Sequence, residues 1–166
     1  MILDTTQAAT LKTFIEANPT WMALPHNSDG AFQIAEELTF VAVPDFIVWR
    51  TSVTEMEFTN EESSEGTNWD WSAYISRSVG ERDGFARMFK DGFVNAAKPN
   101  IRQGFIDIFS GGTGVAQRTH MAAIAKRKAN VLEKLFAVGT GSTASPATMV
   151  IEGVITRQEL AQVMGW

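Results

Sequence analysis

A chain of 166 residues, 45% of them hydrophobic and 20% charged, is long enough to bury a folded core. It has no cysteine, which excludes disulfides, thiolate metal sites and cysteine nucleophiles. Its net charge of −5 argues against simple nucleic-acid binding. No apolar run reaches the roughly 18–20 residues of a membrane span, and the N-terminal residues do not resemble a secretory signal. We therefore expect a protein that is made and used in the cytoplasm, or in something assembled there.

The charge is distributed unevenly along the chain. Residues 1–76 carry twelve acidic and two basic side chains, whereas residues 77–166 carry twelve basic and seven acidic ones, so the halves are about −10 and +5. One interpretation is a pair of differently charged solvated faces. The other is electrostatic complementarity between neighbouring copies in a head-to-tail oligomer.

Turn and capping signals predict two helices at the start of the chain. Asp4 can cap the first helix, and Asn18-Pro19 ends it. Ser28-Asp29-Gly30 opens the second helix. Helical spacing predicts that its buried stripe contains Phe32, Ile34, Ala35 and Leu38.

Extended and irregular structure is predicted next. Residues 46–51, just after a proline, are the best strand candidate in the chain. The patterns Ser52-x-x-Glu55 and Thr54-x-x-Glu57 both fit a capping box, so we expect a short helix to begin near residue 54. Residues 59–68 are polar, acidic and rich in turn formers, which predicts an exposed loop.

Helices dominate the rest of the prediction. Helical spacing runs from Trp69 to Lys90, weakened in its middle by two glycines, and Pro99 starts a further helix that ends at Gly111–Gly114. The longest helix is expected from about Val115 to Val138. Residues 147–151 are a short strand candidate, and a capping box at Thr156 predicts a terminal helix.

These elements predict a mainly α fold: a bundle of about five to six helices with one or two short β-strands or extended arms. We expect a single domain, residues 1–166. Its helical body covers about residues 4–38 and 69–138, with extended segments at about 46–51 and 139–153 and a terminal helix at about 156–164.

The sequence offers no arrangement typical of catalysis. His26 and His120 have no metal-ligand partner at helical spacing, and the carboxylates near residue 62 lack the pattern of a calcium loop. The glycine-rich stretches 111–114 and 139–146 both follow predicted helices, the wrong context for a phosphate-binding loop. We therefore predict no catalytic, cofactor or metal site, and a protein that is not an enzyme.

Two features instead favour contact with another subunit. The basic run at residues 126–128 is interpreted as a solvated helix face, as a contact for an acidic neighbouring subunit or as a phosphate contact. The small-residue loop 139–146 is either a flexible surface turn or a segment that folds over a neighbour. The candidate inter-subunit residues are Lys126, Arg127, Lys128, Gly139, Thr140, Gly141, Ser142, Pro146, Trp49 and Arg50.

Four stretches resemble a family of small proteins encoded in the structural-gene region of tailed bacteriophages. They are Asp29–Ala35, Val48–Val53, Asn100–Ser110 and Glu133–Met149. The resemblance extends from about residue 10 to residue 160 and is strongest over 133–153.

The resemblance implies a virion protein assembled in the host cytoplasm, and size and helical character are most similar to a head–tail connector or adaptor. Such a subunit forms a ring with itself below the portal, a dodecamer if it follows the portal's symmetry. The subunit contacts the portal and other neck or tail proteins. The lumen of the ring contacts packaged DNA without sequence preference. The alternatives are a capsid decoration or tail-completion protein and, from another class, a small phage-encoded enzyme.

Overall fold

A computed structural model of the chain describes residues 3–166. It is about 52% helical and has one small two-stranded antiparallel sheet, which confirms the mainly α class. Contacts divide the chain into two compact units. Unit 1 contains the described residues up to Ile47 together with Lys128–Trp166, and unit 2 is Val48–Arg127. The single domain expected from the sequence stays a prediction.

Ten α-helices and two strands lie within residues 3–166. The helices are shorter and more numerous than the sequence predicts. In chain order the elements are α1 (Thr5–Glu16), α2 (Pro19–Met22), α3 (Ser28–Thr39), β1 (Ile47–Trp49), α4 (Glu55–Asn60), α5 (Trp71–Ile75), α6 (Val79–Met88), α7 (Pro99–Ile108), a 3₁₀ turn (Gly112–Gly114), α8 (Val115–Ile124), β2 (Lys126–Lys128), α9 (Val131–Phe136) and α10 (Arg157–Met164).

Unit 1 is built around α3, which packs against α9 and α10, while α1 packs against α2 and α10. Local capping signals set the helix starts as predicted: Asp4 forms a capping box with Gln7 before α1, and Thr156 forms one with Glu159 before α10. Phe32 corrects the predicted stripe of α3, since its side chain is 48% exposed. The core of the unit contains Leu11, Ile15, Trp21, Ala31, Ile34, Ala35, Leu38, Leu132, Ile155, Leu160 and Met164.

Unit 2 packs α7 against α6 and α8, and α4 against α8. Its core is strongly aromatic, and rings meet mostly edge to face, as in the pair of Phe58 and Phe105 at 5.3 Å between centroids. Thr54 caps α4 through a capping box with Glu57, as predicted. The core contains Val53, Phe58, Trp69, Phe85, Phe89, Val94, Ala96, Phe105, Phe109, Met121, Ile124 and Ala125.

The predicted long helix from Val115 to Val138 is wrong. Helix α8 ends at Ile124, and residues 126–128 form the strand β2. Asn130 then caps α9 in a capping box with Glu133, so the chain begins a new helix where apolar spacing alone suggested continuation. The basic run therefore does not lie on a helix.

Two further expectations need correction. The predicted helix 69–90 is broken after Ile75, because Ser78 forms a capping box with Glu81 and starts α6 afresh. Residues 147–151 do not form a strand. Thr148 makes only an isolated antiparallel bridge to Val138.

We predict that Gly141→Ala destabilises the protein more than Gly66→Ala. Both glycines have positive φ, +65° and +72°, so each substitution carries a left-handed backbone penalty of about 1–2 kcal/mol. At Gly141 a Cβ would also collide with the Phe46 ring, which adds about 1–3 kcal/mol, whereas at Gly66 nothing lies within 4 Å. Urea unfolding of both variants measures the difference, and equal losses would contradict the tight contact with Phe46.

Candidate functional site

Two lysines of the basic run are paired within the chain. Lys126 Nζ lies 3.0 Å from Glu65 Oε1 in unit 2, and Lys128 Nζ lies 2.7 Å from Asp45 Oδ2 in unit 1. Arg127 lies between them in β2. We predicted this run on the surface of a long helix. It is instead part of the strand β2, so its successive side chains point to opposite faces of the strand. An acidic partner would have to compete with carboxylates already in place.

Trp49 and Arg50 are also engaged inside unit 2. The Arg50 guanidinium is ion-paired with Glu57, and its Nη1 donates to the carbonyl of Ile124 at 3.2 Å. Burial raises the pKa of Glu57, but hydrogen bonds from Thr54 and Arg50 outweigh it and hold that pKa below its ordinary value. The guanidinium of Arg102 lies over the Trp49 ring, with Arg102 Cζ 4.5 Å from the ring centroid.

The loop 139–146, which belongs to unit 1, lies folded against Ile47 of the same unit. Gly141 O accepts a hydrogen bond from Ile47 N at 2.7 Å, and Ala147 N donates to Ile47 O at 2.9 Å. Thr140 Oγ1 donates to Ser145 O at 2.8 Å. Ser142 Oγ accepts from Ser145 N at 3.0 Å, and Gly139 has a φ of +129°. Pro146, the last of the predicted loop residues, is half-buried.

These hydrogen bonds occupy backbone groups of the two segments, 46–51 and 139–146, that contain the candidate inter-subunit residues outside the basic run. Ile47 is hydrogen-bonded to the loop, and Phe46 O accepts from Ala129 N at 2.8 Å. A strand from another chain would therefore have to displace bonds that this chain already makes at residues 46 and 47. Within unit 1, the loop 139–146 is thus held in place by Ile47 of the same copy.

An apolar groove between α7 and α8 is the best-formed candidate site in unit 2. Its volume is about 270 Å³, below the range of roughly 300–1,000 Å³ typical of small-molecule and cofactor pockets. The size suits one or two inserted side chains better than a cofactor. Its walls are Trp49, Arg102, Phe105, Ile106, Arg118, Met121, Ala122 and Ala125.

Two arginines flank the groove, each fixed through one nitrogen. Arg102 Nη1 donates to the carbonyls of Ala96 and Ala97, at 2.6 and 2.9 Å. Arg118 Nη1 donates to the carbonyls of Phe109 and, at 3.1 Å, Gly111. Within the described part of the chain, Nε and Nη2 of both arginines make no hydrogen bond.

The flanking arginines can therefore receive an anion. Burial lowers the pKa of the Arg102 guanidinium below its ordinary value. A guanidinium whose charge is partly desolvated gains from a carboxylate placed at its open edge, and its planar fork suits that group. The groove thus combines an apolar floor with two cationic rims.

A second exposed surface of unit 2 has the opposite charge. Met56 and Trp71 line one shallow concavity together with Glu55, and Ile75 lies one helical turn beyond Trp71 on α5. All three apolar side chains are exposed: Met56 at 66%, Trp71 at 53% and Ile75 at 64%. We call Glu55, Met56, Trp71 and Ile75 the acidic–apolar patch.

The acidic segment next to this patch is anchored by a buried histidine. His120, fully buried on α8, accepts or donates at both ring nitrogens: Nε2 lies 2.7 Å from Phe58 O and Nδ1 lies 3.1 Å from Thr67 Oγ1. Thr67 Oγ1 in turn lies 2.6 Å from Ser63 Oγ. Ser63 is buried, so the predicted exposed loop is pinned at its centre while Glu61 and Glu62 stay exposed.

The direction of these hydrogen bonds follows from their partners. A carbonyl oxygen can only accept, so Nε2 of His120 carries a proton and donates to Phe58. In the neutral ring Nδ1 then accepts from the Thr67 hydroxyl, which accepts from Ser63. This hydroxyl–imidazole chain resembles an activated nucleophile in composition, but the fully buried ring offers a substrate no access in this conformation.

The groove and the acidic–apolar patch were not predicted from the sequence. Arg102 and Ile106 lie at i and i+4 on α7, so an exposed apolar residue beside an arginine was a local signal. Their approach to Arg118 and Trp49 depends on tertiary packing, which spacing does not reveal.

No protein-family model, curated protein or solved structure matches the chain. In the described residues no helix is both long and apolar enough to span a membrane. Residues 3–166 likewise contain no group of three or more His, Asp or Glu side chains arranged to hold a metal ion.

We predict that Glu57→Gln flattens the acid dependence of stability. Because the folded pKa of Glu57 is lowered, its contribution is present above the ordinary value of 4.5 and is lost as pH falls through the folded pKa. Thermal unfolding from pH 7 down to pH 3 should show a shallower decline below about pH 4.5 in the variant than in the wild type. Glu62→Gln, at an exposed position, is the control and should keep the wild-type slope.

We also predict that Thr67→Val lowers the free energy of unfolding by about 1–3 kcal/mol, because it leaves buried His120 without its hydroxyl partner. Thr119→Val, on the exposed side of the same helix, should change it by less than about 0.5 kcal/mol. Chemical denaturation compares them. Equal stability of the two variants would show that the His120–Thr67 bond contributes nothing.

Proposed function

We propose that this chain is a structural subunit of a tailed-phage virion, a head–tail connector that assembles with copies of itself into a ring below the portal. The resemblance of Glu133–Met149 and the other three stretches supplies the setting. The mainly α fold agrees in character with a connector.

Exposed apolar surface is the observation that carries the proposal. Both units leave large apolar side chains in water, among them Val43 at 88%, Val138 at 67% and Met56 at 66% exposure. Isolated apolar residues are ordinary on a surface, but grouped ones mark interaction sites. In unit 2 they are grouped in the acidic–apolar patch, and the arginine-flanked groove offers further apolar surface.

Burial of such side chains supplies a driving force for assembly. Removing apolar surface from water contributes roughly 25 cal/mol per Å², so a few large side chains per interface contribute several kcal/mol before the cost of association. A ring multiplies this contribution, since each subunit of a ring makes two interfaces.

The proposal predicts that the protein is present in purified virions of the phage that encodes it, in equal copy number with the portal subunit. Quantitative mass spectrometry of virions measures this. Electron microscopy of the protein mixed with its portal should show an added ring. Absence from virions would contradict the proposal.

Two results would favour the alternatives. A copy number matching the capsid lattice, with binding to empty shells, would indicate a decoration protein. Presence in infected cells combined with absence from virions would favour the non-structural alternative, a small phage-encoded enzyme.

A further inference from the structure

We propose that the arginine-flanked groove of one copy receives the acidic–apolar patch of a second copy, so that the chain associates head to tail. This inference rests on the proposed self-assembly and names the two surfaces that meet. Met56 is the side chain that enters the groove, and the carboxylates around it face Arg102 and Arg118.

Charge complementarity identifies a second copy as the occupant. Residues 55–70 carry six acidic and no basic side chains, whereas residues 98–127 carry five basic and one acidic. Both stretches belong to unit 2. With the internal Lys126–Glu65 pair set aside, each copy still carries five acidic side chains in the first stretch and four basic ones in the second, the uneven distribution that head-to-tail association requires.

Carboxylates are available on the acidic side. Glu57 and Glu65 are ion-paired with Arg50 and Lys126, and Asp70 caps α5. Glu55, Glu61 and Glu62 are exposed, and across residues 3–166 their carboxylates make no hydrogen bond or ion pair. These three are the natural acceptors for the open edges of the two groove arginines.

The apolar parts match as well. The groove has a floor of Phe105, Met121 and Ala125 and a partly exposed lip at Ile106. Met56 is unbranched and adaptable, so it can fill an irregular apolar space of this size. Trp71 lines the same concavity as Met56, and Ile75 lies one turn farther along α5, so both can cover the rim of the groove and exclude water from the arginine–carboxylate pairs.

The geometry predicts a heterologous interface. The groove and the patch share no residue, so each copy retains one free groove and one free patch after the first contact. Association then continues until a ring closes, or else yields an open filament.

Two single variants and their mixture test the proposal. Ile106→Asp places a charge in the groove but leaves the patch intact, and Met56→Lys does the reverse. Both side chains are largely exposed, at 47% and 66%, so neither change should impair folding, and circular dichroism checks this. Each variant alone should be monomeric in sedimentation velocity, with affinity at least tenfold below wild type, roughly the loss of one hot-spot residue.

The mixture gives the decisive result. An equimolar mixture of the two variants should form a dimer, because the intact patch of one fits the intact groove of the other. Val79→Asp, outside both surfaces, is the matched control and should associate like wild type. A mixture that stays monomeric, or variants that assemble as wild type does, would overturn the proposal.

Oligomeric state in solution and presence in virions test head-to-tail association and the virion role separately. A wild-type protein that is monomeric in solution but present in virions overturns head-to-tail association and leaves the virion role in place. A protein that forms the mixed dimer but is absent from virions does the opposite.

Discussion

The hydrogen bonds of His120 hold the acidic segment of unit 2 in place. Without them, residues 59–68 would be a polar loop with few apolar groups to bury and a cluster of carboxylates that repel one another. The buried ring bonds Phe58 at the end of α4 and Thr67 in the loop, and through Thr67 it reaches Ser63. Because His120 and Ser63 are buried, leaving their polar atoms without a hydrogen bond would be costly. Helix α8 thereby holds residues 59–68, which the sequence predicts as an exposed loop, in one conformation.

Helix α8 also contributes to the groove. Arg118 and Met121 line the groove, while His120 faces the anchored segment. One short helix thus positions both the cationic rim and the acidic segment, and Lys126, just beyond the end of α8, is ion-paired with Glu65 of that segment. Within unit 2, residues 55–70 carry six acidic side chains and residues 98–127 carry five basic ones. The interpretation as head-to-tail complementarity gains a specific physical form from this arrangement.

Local signals in the sequence predicted local structure well. A predicted cap at Asp4 and predicted capping boxes at Thr54 and Thr156 placed three helix starts correctly, since capping depends only on residues within about three positions. The same rule applied at Ser78 and Asn130 would have divided the two helices that were predicted too long. Apolar residues continue at helical spacing through both breaks, so spacing alone does not reveal where one helix ends and the next begins.

The candidate site could not be predicted in the same way. Arg102 and Arg118 are brought together by the packing of α7 on α8, and Trp49, at the end of β1, joins them only in the folded chain. Lys126 was predicted as a solvated charge or an inter-subunit contact, but its side chain is 13% exposed and is paired with Glu65, which lies 61 positions away. Composition showed that the charges were uneven, and only the fold shows which of them are already paired.

Because the chain has no cysteine, introduced cysteines can test head-to-tail association directly. Copies carrying Met56→Cys are mixed with copies carrying Ile106→Cys and oxidised mildly, and the cross-linked peptides are identified by mass spectrometry. Head-to-tail association predicts a disulfide between positions 56 and 106 of different copies, formed faster than either symmetric disulfide. Cross-linking dominated by 56–56 or 106–106 pairs, or no cross-linking above that of an exposed control cysteine at position 79, would contradict it.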